Sequence, residues 1–327
     1  MSRVTFRGRS IELVDDESVL DALLREGEDV PYSCRGGTCH TCRLRATSGD
    51  LPEESQRGLK ETQRAQGYFL ACSCHPKTDL EIESEPDSLP FQGRVQEHDE
   101  IGEDIVRLRL RLDDELGYAP GQFVNLVRED GLVRSYSLAS TPDDDDLELH
   151  VRVIPGGRMS GWIREGLSVG DTVSVQGPFG SCFYVPGRPE QPMVLAGVGT
   201  GLAPLLGIAR DALDRGHTGP IDLFHGALHA SRLYHGHTLR ALEDRFPSFR
   251  YHPCALHASG DAGDDIEIGP IRDIVLSKMA DRLSEARIFL CGDPDFVNDL
   301  RKRLFLTGAS LSEIHADPFT PAASATG

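Results

Sequence analysis

Four cysteines, Cys34, Cys39, Cys42 and Cys72, follow the spacing C-x4-C-x2-C…C and constrain this 327-residue chain more than any other feature. The spacing is that of a plant-type [2Fe–2S] cluster, whose two irons and two bridging sulfides need four thiolates converging on a small volume. One tight loop supplies three of them and a returning segment supplies the fourth. Gly36 and Gly37 stand inside the loop, where a Cβ would crowd the inorganic core and backbone amides can turn toward sulfur. Structural zinc favours two close pairs and would have to choose between Cys72 and Cys74 as its last ligand. A Rieske centre needs two histidines on one iron. Cys72-Ser73-Cys74-His75 contains C-x2-H, but Cys39-His40 are adjacent and lack the one-residue gap of the other half. Disulfides suit exported chains, and residues 1–16 are charged throughout with no apolar signal core. The expectation is a four-cysteine iron–sulfur cluster, with Cys74 as a neighbour that does not bind iron.

The length allows two or three domains. A formal net charge of −18 makes nucleic acid a poor partner and favours a partner with a basic docking patch. The longest weakly polar run, residues 193–209, is glycine-rich, contains Pro204 and is too short for a bilayer, so no membrane contact is expected. Eight cysteines without an export signal point to a reducing cytoplasm. The acidic run Asp143 to Asp146 reads as a solvated turn between strands.

Period and punctuation divide the chain. Residues 1–87 show short strands at Val4-Phe6, Ser10-Leu13, Leu44-Ala46, Tyr68-Ala71 and Leu80-Glu83, and a helix capped by Ser18 and closed by Gly27. They form a small α+β unit, with Cys72 delivered by a strand. A polar, proline-bearing linker over residues 85–90 follows. Residues 88–187 are strand-dominated, with alternating segments at 93–95, 105–112, 123–127 and 147–153, which suggests an antiparallel barrel. One helix is expected there, with Ser160 as its cap. From 188 to 327 strands alternate with helices: Met193-Ala196, Ile221-Phe224, Phe249-Tyr251, Ile288-Leu290 and Ser312-His315 between helices near 203–215, 239–245, 271–279 and 294–306. That alternation implies a parallel sheet and a nucleotide fold.

Four motifs carry chemistry in the last two segments. Arg134-Ser135-Tyr136-Ser137 offers a guanidinium for a pyrophosphate, an aromatic face for a ring system and a hydroxyl for its polar edge. A packed tyrosine on a strand edge is the plainer reading. Gly156-Gly157-Arg158-Met159-Ser160 precedes a helix whose N-terminus suits phosphate, though a glycine pair is more often a turn. Gly197-Val198-Gly199-Thr200-Gly201 follows a buried strand and opens a helix, the context that turns a glycine loop into a dinucleotide site. Cys291-Gly292-Asp293-Pro294 ends a later parallel strand, where ligands gather in open α/β sheets.

Taken in order, C-R-x-G-x-C-x-x-C with Cys72, R-x-Y-S, G-x-M-S, G-x-G-T-G-x-A-P and C-G-D-P resemble the ferredoxin–FAD–NAD reductase components of bacterial multicomponent, ring-hydroxylating oxygenases. The resemblance runs from the cluster loop to Phe319. It implies a β-grasp-like [2Fe–2S] domain over 1–87, an antiparallel β-barrel FAD domain over 88–187, and a parallel-sheet NAD domain with a C-terminal tail over 188–327. It implies FAD contacts from Arg134, Tyr136, Ser137, Val151, Val153, Gly157, Met159 and Ser160, and NADH contacts from Gly199, Thr200, Gly201, Cys291, Gly292 and Asp293. Phe319 resembles the aromatic residue that covers the flavin, and Tyr136, Ser137 and Cys291 would border the reacting atoms. The implied activity is hydride transfer from NADH to FAD, followed by single electrons through [2Fe–2S] to a ferredoxin or a terminal oxygenase component. The protein would be a cytoplasmic monomer degrading aromatic compounds with its partner. A deoxysugar dehydrase or a cytochrome would be another acceptor, and a non-enzymatic metal-binding adaptor is the contrary reading. His40 departs from the family's usual glycine, and eight residues follow Phe319. Cys254 to Ala258 lack the arginine of NADPH-dependent relatives, while Arg232 stays available to a 2′-phosphate. Hydride chemistry needs no acid–base pair, so the twelve histidines are expected to be structural or solvated.

Overall fold

Three sheets organise the chain, distributed over two compact units, Met1–Ser88 and Leu89–Gly327. The structure is a computed structural model and describes residues 2–14, 16–32, 35–37, 42–83, 90–258 and 265–319; Cys34, Cys39 and His40 lie outside these.

In the first unit, β1 (Arg3–Phe6) and β2 (Arg9–Glu12) form a hairpin through Arg7 and Gly8, with φ of 50° and 78°. Two central residues at positive φ are what the twist of a tight hairpin requires. Helix α1 (Val19–Arg25) starts where the Asp21 amide donates to Ser18 Oγ at 3.2 Å, and it buries Val19, Leu20, Ala22 and Leu23. It stops at Glu26 and Gly27, the latter at φ 80°. Strand β3 (Arg43–Ser48), helix α2 (Glu61–Ala65) and strands β4 (Tyr68–Leu70) and β5 (Leu80–Glu83) complete the unit. The strand order is β2-β1-β5-β3-β4, with β1 parallel to β5 and the other pairs antiparallel. With α1 packed on one face, this is a β-grasp arrangement around Phe6, Leu20, Leu23, Phe69 and Leu70. Each such side chain taken out of water contributes about 1.5–3 kcal/mol.

Cys72 does not leave on a strand as expected. The chain leaves β4 after the Ala71 amide donates to Cys42 O at 3.0 Å and enters a single 3₁₀ turn, Ala71–Ser73, which the Cys74 amide closes on Ala71 O at 3.4 Å. Helix α2 was not foreseen; at five residues it is too short to show a helical period.

In the second unit, β6 (Phe91–Gly102), β7 (Ile105–Leu112), β8 (Phe123–Val127), β9 (Val133–Ser137), β10 (Leu147–Arg152) and β11 (Thr172–Phe179) pair antiparallel in the order β10-β7-β6-β11-β8-β9. Beyond β9, Leu138 bridges Leu149 of β10 and the Ala139 amide donates to Glu148 O at 2.9 Å, which closes the ring into a barrel. Helix α3 (Arg158–Gly166) sends Met159 and Ile163 into a core with Leu108, Leu126, Val151 and Val175. Gly157, not Ser160, precedes the helix. Ser160 sits within its first turn, and its Oγ accepts from the Ile154 amide at 3.1 Å. The Asp143 to Asp146 turn is also less solvated than expected. Arg210 donates to both Asp144 oxygens at 2.8 Å, and buried Asp146 accepts from Arg111, so opposing arginines draw two of the four carboxylates inward.

The remaining strands, β12 (Met193–Val198), β13 (Ile221–His229), β14 (Phe249–His257), β15 (Glu267–Ile268), β16 (Arg287–Gly292) and β17 (Ile314–Pro318), are all parallel in the order β15-β14-β13-β12-β16-β17. Helices α4 (Leu202–Asp214), α5 (Gly236–Arg245), α6 (Ile271–Met279) and α7 (Pro294–Leu306) cover both faces. Met193 and Leu195 join the core under α4 and α5, whereas Val194 and Ala196 join the core under α6 and α7. A strand buried on both sides reads as a continuous apolar run, as Met193-Val194-Leu195-Ala196 does. The chain steps outward from β12 to β15 and then returns to β16 on the other side of β12. Ligands bind outside the carboxyl ends of strands at such a reversal. Among the described residues no helix is long and apolar enough to cross a membrane.

Candidate functional site

The cluster corner is built from Cys42, which leads into β3, and Cys72 on the 3₁₀ turn; Cys34 and Cys39 are outside the described residues. Pairing of Arg43 with Leu70 across β3 and β4 carries both thiols to one end of the sheet. Burial pushes the Cys42 thiol up to about 11, against a backbone hydrogen bond at Cys72 that lowers it. A thiol so placed stays protonated alone and becomes a thiolate when a metal binds. A Cβ at Gly37, whose φ is 72°, would stand 2.9 Å from Ser73 Oγ, so the cysteine loop lies hard against the Cys72 turn. Cys74 has no exposed surface, belongs to the β-grasp core, and is pushed up to about 12 by burial. The donors described here fit an iron–sulfur cluster: Cys72 is partly exposed beside Cys42, and Cys74 is held in the core.

The barrel supplies the second corner. Alternation along β9 puts Arg134 and Tyr136 on one face, both half-buried, and burial raises the Tyr136 phenol well above its ordinary range. Arg134 Nη1 donates to Val133 O at 2.6 Å. Val151 is turned into the barrel core, and Val153, just past β10, packs partly against it. Gly157 stands where a Cβ would come within 2.4 Å of Ser160 Oγ and 2.9 Å of Ile154 O, so only glycine fits before α3. Met159 and Ser160 are buried behind it, which leaves the first-turn amides of α3 as the helix's free donors.

The parallel sheet supplies the third. β12 runs into a 3₁₀ turn, Gly199–Gly201, that opens α4. A Cβ on Gly201 would be 2.3 Å from Cys291 O, and one on Gly292, at φ 119°, would be 2.8 Å from Val198 O. The ends of β12 and β16 thus touch backbone to backbone across the strand reversal. Thr200 stands between the two glycines of that turn. Cys291 is fully buried, its thiol driven well up by burial and 3.9 Å from Cys182 Sγ. Asp293 caps α7, accepting from the Asp295 amide at 3.0 Å and the Phe296 amide at 3.1 Å. The Phe319 amide donates to Gly292 O at 2.8 Å and holds that half-buried ring beside the loop.

One contact joins the second and third corners. Ser137 Oγ donates to Asp317 Oδ2 at 3.1 Å, and Asp317 is the β17 partner of Cys291 on β16. R-x-Y-S and C-G-D-P, more than 150 residues apart, therefore meet through a carboxylate that sequence reading passed over. Burial raises the Asp317 carboxyl and the Ser137 hydroxyl opposes that rise. Its one signal was its place two residues before Phe319.

A β-grasp cysteine site, a barrel with an arginine–tyrosine–serine strand and a parallel sheet with a glycine loop define a flavin- and nicotinamide-dependent electron-transfer protein. Comparison with known proteins agrees at every segment. Residues 4–77 match the 2Fe-2S iron-sulfur cluster binding domain, 92–184 the oxidoreductase FAD-binding domain, and 194–302 the oxidoreductase NAD-binding domain. The chain is 37% identical to the reductase subunit of an aromatic O-demethylase from Amycolatopsis, over 98% of each chain. It is 35% identical to the ferredoxin–NAD(P)+ reductase component of the naphthalene 1,2-dioxygenase/salicylate 5-hydroxylase systems of Ralstonia, over 93% of this chain and 94% of that one. Among solved structures, the Amycolatopsis cytochrome P450 reductase GcoB superposes with a TM-score of 0.69 at 36% identity, covering 99% of this chain and 100% of that one. The ferredoxin reductase of a carbazole 1,9a-dioxygenase does so with 0.65 at 25% identity, over 98% of each. The chain belongs to the family of FAD- and [2Fe–2S]-containing reductase components of aromatic oxygenase systems. It is a nicotinamide-dependent flavin iron–sulfur oxidoreductase whose electrons go to an oxygenase or ferredoxin partner.

Proposed function

We propose that Tyr136, Ser137 and Cys291 border the reacting atoms, with FAD along β9 and the start of α3 and the nicotinamide nucleotide along Gly199–Gly201 and Cys291-Gly292. The Ser137–Asp317 contact carries this reading, because it puts the barrel's hydroxyl beside the strand that ends in Cys291. FAD, when bound, supplies the exchange between a hydride's electron pair and the single electrons that a [2Fe–2S] cluster takes. The chain's own work is positional. Arg134 and the first-turn amides of α3 hold phosphate, Tyr136 offers a ring face, and Ser137 offers a hydroxyl fixed by Asp317. Gly201 and Gly292 let the nucleotide come close, and Phe319 covers the site from the other end of the chain. Cys34, Cys39, Cys42 and Cys72 hold the cluster. In this reading the domains divide at 87/88 and 187/188, and the protein works as a cytoplasmic monomer.

NADH is preferred over NADPH. Residues 254–258 carry no arginine, and Arg232, the cation available to a 2′-phosphate, is engaged with Asp104 Oδ2 at 3.3 Å and Glu103 Oε2 at 3.4 Å. The acceptor is the terminal component of an aromatic oxygenase or its ferredoxin. Similarity to GcoB, a cytochrome P450 reductase, favours a haem oxygenase as the second reading of that acceptor.

The test is anaerobic titration of the purified holoenzyme with NADH and with NADPH. Flavin and cluster absorption should both bleach within one turnover of NADH, and kcat/KM should favour NADH by at least about tenfold. A colourless zinc protein, or a preference for NADPH, would overturn the assignment. Mixing the reduced protein with a P450 or with a Rieske-type component then separates the two acceptors by which one is reduced.

A further inference from the structure

Glu148 and His150 stand two apart on β10, on the face opposite Leu147, Leu149 and Val151, which fill the barrel. That outer face meets the parallel-sheet domain, and His235 reaches it from the residue before α5. His150 Nε2 lies 2.9 Å from Glu148 Oε1 and 3.3 Å from His235 Nε2, and His235 Nε2 lies 3.9 Å from the same carboxylate oxygen. All three side chains are largely withdrawn from solvent, at 0%, 17% and 13% exposure for His150, Glu148 and His235.

Hydrogen bonding satisfies this triangle poorly. A proton on His150 Nε2 directed to Glu148 leaves the His235 nitrogen facing a donor already in use. A proton on His235 Nε2 is too far from the carboxylate to serve it. One cation satisfies all three atoms. At metal–ligand distances of about 2.0–2.1 Å, a tetrahedral site has ligand–ligand edges of about 3.3 Å, close to those observed. The outer contacts suit that use. His150 Nδ1 is 3.0 Å from Tyr234 Oη, and His235 Nδ1 is 3.4 Å from Thr238 Oγ1, so each ring's second nitrogen has a partner that orients it. His235 also holds φ 57°, a conformation rare outside glycine and concentrated at ligand sites. Arg109 Nε stands 3.9 Å from the second Glu148 oxygen, Oε2, and leaves Oε1 to the two imidazoles, while Arg107 and Arg109 make their shorter contacts with Glu97 and Asp99.

We propose that Glu148, His150 and His235 form a divalent-metal site that takes Zn2+ or an ion of like ligand preference, leaves a fourth position to water, and clasps the flavin barrel to the nucleotide-binding sheet. The site lies beside the Gly199–Gly201 turn, against which β10 packs, so a bound ion would stiffen the join on which that turn rests.

The test uses the tag-free holoenzyme with iron and FAD quantified before and after titration with ZnCl2. Wild type should bind one equivalent, the zinc-edge X-ray absorption should show nitrogen and oxygen ligands including two imidazoles, and the flavin-release midpoint should rise by several degrees. His235→Ala and the near-isosteric Glu148→Gln should each weaken zinc binding by at least about tenfold and abolish the rise, with iron and FAD unchanged. Sulfur scattering would place the zinc in the cysteine site. That result, absence of a saturable equivalent, or wild-type binding by both variants would each overturn the proposal.

Discussion

The two units meet their redox groups by opposite means. In the first, Cys42 and Cys72 are brought to one sheet end so that side-chain sulfur can bind metal, and Gly37 serves by keeping the loop close. In the second, the decisive atoms are backbone ones. Gly201 lies against Cys291 O, Gly292 lies against Val198 O, and the first-turn amides of α3 follow Gly157. A thiolate ligand is a covalent requirement and tolerates no replacement, whereas a close approach is a matter of ångströms and fails by degrees.

Substitution at Cys72 makes the sharper break. A serine hydroxyl is not a thiolate at neutral pH, so Cys72→Ser should lose the cluster's visible and paramagnetic signals and most of its iron. Flavin reduction by NADH should stay within about twofold of wild type, because every residue of the proposed hydride site lies in the unit over Leu89–Gly327. Loss of both activities would show that the units do not divide the chemistry in this way.

Gly201→Ala tests the other side of the comparison. The added Cβ would fall 2.3 Å from Cys291 O and 2.7 Å from its carbonyl carbon, both backbone atoms that cannot swing aside. A displacement of the order of 1 Å at a hydride-transfer site costs about 10²-fold in rate. Stopped-flow flavin reduction should slow by that order while FAD content holds. Gly199→Ala is the control. Gly199 has φ 54° with nothing within 4 Å of its Cβ position, so alanine there meets conformational strain of about 1–2 kcal/mol and no clash. Equal losses at the two glycines would mean that close approach is not what Gly201 provides.

How much of this was legible follows the same division. Ligand spacing is local, so the presence of a [2Fe–2S] domain could be read from the cysteines, and strands could be read where the period or apolar run was unbroken, as in β7 and β12. The glycine loop was legible because a buried strand leads into it. Cys72's placement on a turn was not, since a three-residue 3₁₀ turn is too short to leave a period in the sequence. Ser160 looked like a cap because serine is the usual one, but Gly157 held the position and Ser160 served Ile154 from inside the helix. Asp144 and Asp146 looked solvated because their arginine partners lie 66 and 35 residues away. Asp317, and the triangle of Glu148, His150 and His235, are created by packing of the barrel against the parallel sheet, and no pattern along the chain announces either.

The smallest expected effect concerns a histidine that sits between these worlds. His225 is fully buried on β13, and burial, reinforced by the nearby His235 and His150, lowers its pKa to about 3 against a weaker pull from a backbone hydrogen bond at Gly199. An unfolded histidine titrates near 6.5. Between those values the unfolded chain binds the extra proton, so stability is full above pH 6.5 and falls as pH drops toward 3. Each pH unit in that window is worth about 1.4 kcal/mol, and a unit of this size shifts its midpoint by about 2–4 °C per kcal/mol. From pH 6.5 to 5 the flavin-release midpoint of wild type should therefore fall about 3–6 °C further than that of His225→Gln. Buried Asp317 and Asp211, whose carboxyls are raised, push the opposite way but do so in both proteins, so the difference isolates the histidine. Parallel slopes in the two proteins would mean that His225 gains its proton in the folded state, and that the pocket under the glycine loop is wetter than its packing implies.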